Sequence, residues 1–168
     1  MNLKKNLVFL GMMGSGKSTI GALVSKKLNL NFIDIDKLIE KNCNMSISKI
    51  FSNNGEIFFR ELEEKITLKN LNLKKKVISI GGGGFMNQKI RNEVLSNNKS
   101  IWLYWDSNTL IDRIKDSKKR PLVKKLNKIE LLNLITKRSK LYAKADHKIN
   151  CNKLTKSEIV DQIIKLIL

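Results

Sequence analysis

Histidine, cysteine and proline are nearly missing from this chain: His147, Cys43, Cys151 and Pro121 are all there is of the three. With one histidine, a Ser-His-Asp triad or a His-rich metal site is not supported. The two cysteines lie far apart, without metal-ligand spacing, and read as ordinary packing thiols in a reducing compartment. Aromatic residues make up only 6% and form no nucleic-acid-binding motif. No apolar run is long enough to span a bilayer, and no charged-then-apolar leader opens the chain. A cytoplasmic enzyme with no membrane partner is therefore expected. Acidic residues are also scarce, 15 against 33 lysines and arginines, a formal net charge of +18. That excess suggests a nucleic-acid or membrane-surface binder. The basic residues are spread along the chain, however, and Lys, Asn and Ile are what an A- and T-rich genome encodes most readily. No specific nucleic-acid partner is expected, although a basic surface attracts anionic substrates. No repeat, linker or low-complexity tail interrupts the 168 residues, which suit one domain, 1–168, with one core, and a monomer is expected.

What is present begins with Gly11-Met12-Met13-Gly14-Ser15-Gly16-Lys17-Ser18-Thr19, which fits the phosphate-binding loop pattern G-x-x-x-x-G-K-[ST]. Glycines let the main chain approach a phosphate with its N–H groups turned inward, and the following helix aims its N-terminal partial charge at the same point. Lys17 can reach the β- and γ-phosphates, and the Ser18 hydroxyl can join Mg²⁺ coordination. Gly14, Ser15, Gly16, Lys17, Ser18 and Thr19 are thus the candidate ATP contacts. The flanks agree. A buried strand over Asn6 to Leu10 precedes the loop, and a helix with Ile20, Leu23, Val24 and Leu28 on one face follows it.

Further along, Leu30 to Asp36 reads as a second strand ending in Asp34 and Asp36, which on an extended strand would point the same way. Carboxylates at that edge of a parallel sheet sit where ligands bind, although Asp is also a good helix cap. Ser46 to Phe51 reads as a short helix stopped by Asn53-Asn54-Gly55, and Glu56 to Asn70 as an amphipathic helix. On spacing alone Arg60 pairs structurally with Glu56, Glu61 or Glu64. A third strand, Lys76 to Ile80, runs into Gly81-Gly82-Gly83-Gly84, a turn suited to backbone approach to a ligand. Ser79 ends that strand where other phosphate-loop enzymes place a residue near Mg²⁺. Ser100 to Asp106 is a fourth strand, followed by a helix from Ser107. The basic, proline-containing segment over about 115–127 has the character of either a lid or a solvated loop. A helix over Ile129 to Tyr142, a fifth strand over His147 to Cys151 and a closing helix from Ser157 complete the alternation. It predicts a three-layer α/β/α sandwich on a five-stranded parallel sheet.

Taken together and in order, these motifs resemble the shikimate kinases, small members of the nucleoside monophosphate kinase-like group. The resemblance rests on residues 11 to 21, Phe32 to Asp36, Gly55-Glu56-Ile57-Phe58-Phe59-Arg60, Ser79 to Gly83, Arg120-Pro121-Leu122, and Arg138 with Leu141-Tyr142. It implies ATP-dependent phosphorylation of the 3-hydroxyl of shikimate, with Mg²⁺ as cofactor. Arg60 and Arg138 would clamp the acceptor carboxylate, Asp36 would orient or deprotonate its hydroxyl, and the Gly82 N–H would lie against it. The acceptor region would span about 36–66. Asp34 would reach Mg²⁺ through water beside Ser18, Arg113 would pack on adenine, and Arg120 would come in with the lid and neutralise the transferring phosphoryl group. Lys140 and Lys156 stand where the family usually has proline. A gluconate-type or adenylate kinase of the same fold, or a basic ATPase that binds nucleic acid, are the alternatives.

Overall fold

The computed structural model describes residues 4–115 and 126–167. Its strands are β1 (Leu7–Leu10), β2 (Asn31–Asp34), β3 (Lys76–Ser79), β4 (Lys99–Tyr104) and β5 (His147–Asn150). Between and after them come α1 (Lys17–Leu28), α2 (Ile35–Cys43), α3 (Ile47–Leu71), α4 (Gln88–Asn97), α5 (Ser107–Lys115), α6 (Lys128–Tyr142) and α7 (Lys156–Ile167), with a 3₁₀ turn at Gly84–Met86. All five strands are parallel in the order β2-β3-β1-β4-β5. The predicted sandwich is the fold observed. β1 lies between β3 and β4, so the chain turns to opposite sides of it, and a ligand crevice opens at the carboxyl end of such a strand.

The strands divide their side chains by alternation. Val8, Leu10, Ile78, Ile80 and Trp102 join one apolar cluster with α2 to α6, whereas Leu7, Phe9, Val77, Ile101, Leu103 and Ile149 join another with α1 and α7. A strand buried on both faces must be apolar at every position, and β1 is. Away from the ligand end, the buried Asn6 amide donates to the Leu71 and Leu73 carbonyls and to Asn98 Oδ1, while its oxygen accepts from the Lys76 N–H. One side chain thus ties together the starts of β1, β3 and β4. No helix among the described residues is long and apolar enough to cross a membrane.

Two local readings change. β2 stops at Asp34, whose carboxylate accepts from the Lys37 N–H at 3.3 Å and caps α2. Asp36 therefore stands in the first helical turn, and the two acids are not neighbours on one strand face, because the cap starts the helix one residue after Asp34. The expected break at Gly55 is real: α3 is two helical pieces joined at Gly55, at φ 83° and ψ 172°. The expected lid lies, over 116–125, outside the described residues, and Arg120 with it.

Candidate active site

The phosphate loop leaves β1 and closes at Gly16, which caps α1 in the left-handed region. Its turn is held by the Ser15 N–H on the Met12 carbonyl and the Ile20 N–H on the Gly16 carbonyl. Ser15 and Lys17 are buried in the loop, and Ser18 and Thr19 are exposed at the start of α1. The Lys17 ammonium donates to the Gly11 and Met12 carbonyls at 2.8 and 2.9 Å. It is thereby parked at the loop's mouth, where a phosphate oxygen would compete with those carbonyls for its protons.

Beside this loop the glycine turn after β3 forms a floor. A Cβ on Gly81 would lie 2.6 Å from Glu63 Oε1 and 2.8 Å from Asp36 Oδ1, so two carboxylates from different helices meet over that residue. Gly82 packs against the phosphate loop near the Met13 nitrogen, and its carbonyl accepts a hydrogen bond from the Tyr142 hydroxyl. Gly83 lies against the Arg60 guanidinium. A cleft of about 520 Å³ opens here, walled by Arg60, Glu56 and Glu63 of α3, Gly83, and Lys137 and Arg138 of α6. Arg60 and Arg138, 78 residues apart in sequence, thus face one cavity. Arg138 is 8% exposed, with Nη1 4.0 Å from Met12 Sδ.

Arg60 is bound on two edges. Nη1 donates to Glu63 at 2.6 Å, and Nε and Nη2 both donate to a single Glu56 oxygen at 3.2 Å. Glu63 is 2% exposed, whereas half of the Glu56 side chain is in solvent. Burial alone would lower the Arg60 pKa, but the Glu63 carboxylate and then Glu56 outweigh it, and the guanidinium is held above its usual value. Of the expected partners only Glu56 is used: Glu61 is exposed, and Glu64 takes Asn87 and Lys89. Glu63, which spacing did not single out, is the close partner. The Arg-x-x-Glu spacing was its signal, but Glu56 and Glu64, each four residues from Arg60, carried a similar one.

At the far end of the phosphate loop, α5 packs against Gly14 through Arg113 and Ile114. Arg113 is exposed, and its guanidinium lies 4.0 Å from the centre of the Trp105 ring. It does not wall the cleft that Arg60 and Arg138 share, so the expected nucleotide and acceptor residues fall at separate ends of one loop. Asp34 and Ser79 are both buried, and they are register partners on β2 and β3. Among the described residues no group of three His, Cys, Asp or Glu side chains forms a metal cage. An Asp at a strand end and a serine hydroxyl at a helix start fit Mg²⁺, which keeps several waters and is otherwise held by substrate phosphates.

With this geometry in view, the relatives are informative. The family model for shikimate kinase matches residues 13–168. A shikimate kinase of Sulfurihydrogenibium sp. is 42% identical, covering 95% of this chain and 96% of its own. The structure of shikimate kinase from Acinetobacter baumannii in complex with shikimate superposes with a TM-score of 0.92 at 28% identity, over 98% of this chain and 93% of the other. That of Aquifex aeolicus shikimate kinase gives 0.86 at 36% identity, over 95% and 94%. The chain belongs to the shikimate kinase family.

Proposed function

We propose that this chain transfers the γ-phosphoryl group of ATP to the 3-hydroxyl of shikimate, giving shikimate 3-phosphate and ADP. The observation that carries this reading, beside family membership, is the cleft in which Arg60 and Arg138 converge next to the phosphate loop. Two guanidinium forks suit a planar carboxylate, which each can meet bidentately. In this structure Glu56 already places a carboxylate oxygen on the Nε/Nη2 edge of Arg60. It stands in for the acceptor carboxylate there: a long, half-solvated pair of that kind is weak and readily exchanged. Glu63, short and buried, stays and fixes the guanidinium plane.

Phosphoryl transfer asks the protein for alignment and charge, and little covalent chemistry. Asp36, over the Gly81 floor, orients the attacking hydroxyl and accepts its proton as the O–P bond forms. Lys17 exchanges its loop carbonyls for phosphate oxygens. Arg120 of the Arg-Pro-Leu segment is proposed as the second cation at the transferring group, and Arg113 as the surface that receives adenine. Mg²⁺, held by Ser18 and, through water, by Asp34, would supply further charge neutralisation at the phosphates. The Gly82 N–H and the Tyr142-anchored turn set the depth of the acceptor.

The test is ADP release from Mg-ATP, coupled to a spectrophotometric readout, with and without shikimate, on the native protein and on Asp36→Asn. Shikimate-dependent release that falls by roughly a hundredfold or more in the variant is expected, the size typical of losing a positioned general base. No stimulation by shikimate from a protein that still binds ATP overturns the assignment. Gluconate and nucleoside monophosphates serve as the competing acceptors.

A further inference from the structure

The nucleotide end of the loop carries an arrangement that the phosphate-loop motif does not require. Trp105 leaves β4 half-buried, and its indole N–H donates to the Ser15 carbonyl at 3.0 Å. Its ring carries the Arg113 guanidinium at 4.0 Å. The stack is fixed from several directions. Asp106, the next residue, takes the Thr109 N–H and hydroxyl at 2.9 and 2.6 Å and so caps α5. The Asp106 N–H donates to Asn152 Oδ1, and the Cys151 N–H to the Tyr104 carbonyl. The start of α5, the end of β4 and the loop after β5 thus meet around Trp105. The Arg113 Cβ lies 3.6 Å from where a Cβ on Gly14 would stand.

We propose that Trp105 is a positioning residue of the nucleotide site, holding the Arg113 guanidinium flat and in register with the phosphate loop so that a purine ring stacks on its outer face. The inference rests on the reading that Arg113 receives the base. An exposed arginine has many rotamers, and ordering it on binding weakens affinity. A guanidinium is planar and stacks on aromatic faces, so an indole beneath it restricts the head group to one plane. The indole N–H adds what a phenyl ring could not: it locks that plane to Ser15, within the loop that holds the phosphates. Base and phosphates of one ligand are then met by two surfaces already at a set separation.

Steady-state kinetics on Trp105→Leu, Trp105→Phe, Arg113→Ala and the Trp105→Leu/Arg113→Ala double variant test this. Trp105→Leu is expected to raise KM for ATP about fivefold while kcat and KM for shikimate stay within about twofold, the scale of one cation–π contact. Trp105→Phe, which keeps a ring and loses the N–H, falls between. In the Arg113→Ala background Trp105→Leu adds nothing further. An unchanged KM for ATP in Trp105→Leu, or the same increase in both backgrounds, overturns the proposal. If Arg113→Ala leaves KM for ATP unchanged, the adenine role of Arg113 fails and the proposal with it; a rise in Arg113→Ala alone removes only Trp105. A second measurement needs no change at Trp105. In Trp102→Phe, where Trp105 is the one remaining tryptophan, emission should change saturably with ADP and not with inorganic tripolyphosphate. No change with ADP, or an equal change with tripolyphosphate, counts against the stack as a base platform.

Discussion

In the proposed acceptor site, Gly81 is crowded by two carboxylates at once. A Cβ there would stand 2.6 Å from Glu63 Oε1 and 2.8 Å from Asp36 Oδ1, separations that real Cβ atoms do not show. Glu63 holds Arg60 in a set direction, and the proposed role of Asp36 in meeting the hydroxyl depends on direction as well. Gly81→Ala must push one or both aside by more than half an ångström. Misplacement on that scale costs about tenfold to a hundredfold in turnover. Gly81→Ala should therefore lower kcat/KM for shikimate by that order while KM for ATP changes little, because Lys17 and Ser18 are untouched. Parallel titrations of the two substrates check it. An equal loss for both would point to a shift of the whole phosphate loop, against separate acceptor and nucleotide ends.

At the scale of the element, the break in α3 decides where Arg60 points. Gly55 sits at φ 83° and ψ 172°, and a Cβ there would meet nothing within 4 Å. Space is thus no obstacle to a side chain; the backbone conformation is, since that region is essentially reserved to glycine. Gly55→Ala is expected to cost about 1–3 kcal/mol of stability, or else to draw Glu56 and Arg60 into one continuous helix. The first response lowers Tm and leaves KM for shikimate near native, whereas the second moves Arg60 and raises KM, so thermal unfolding and kinetics together separate the two. A variant with native Tm and native KM would show that the break carries no load. This break was legible in the sequence because Asn53-Asn54-Gly55 interrupts an apolar period, and the strand–loop–helix frame of the phosphate loop was legible for the same local reasons. Asp36 was misplaced because Asp34 serves two sequence rules at once, strand end and helix cap, and only the bond to the Lys37 N–H decides between them. The i,i+3 spacing allowed the pairing of Arg60 with Glu63 but could not single it out. Glu56, Glu63 and Glu64 all lie three or four residues from Arg60 on one helix, and what selects Glu63 for the close contact is burial under the glycine turn, contributed by a segment some twenty residues later in the chain.

The whole molecule carries a charge of +18, and its pH response should show it. Asp106 is held below the usual carboxylate range by the Thr109 hydroxyl, Glu64 by Lys89 and Glu158 by Thr155. His147 is pushed down by burial and then by Lys99. For each of these four the unfolded chain binds the proton more readily. Their stabilisation is thus present above the unfolded values, about 6.5 for histidine and about 4 for the carboxylates, and is lost as pH falls through the folded ones. Neutralising the acids also leaves 33 lysines and arginines unopposed, and this self-repulsion is screened by salt. The alkaline side has a different cause. Burial pushes the Cys151 thiol up to about 12, the Arg113 charge offsetting only part of it. That contribution is present below the ordinary thiol value of about 8.5 and is lost as pH rises from there. Tm should therefore hold level between about pH 7 and about pH 8.5 and fall on both sides. Added salt should flatten the acid arm and leave the alkaline arm, which rests on a buried group, nearly as steep. Cys151→Ala should do the opposite, flattening the alkaline arm alone. Scanning calorimetry across pH at two ionic strengths decides the matter. An acid arm indifferent to salt would mean that the basic excess is too dispersed to strain the fold, and would leave Asp106, Glu64, Glu158 and His147 as its whole cause.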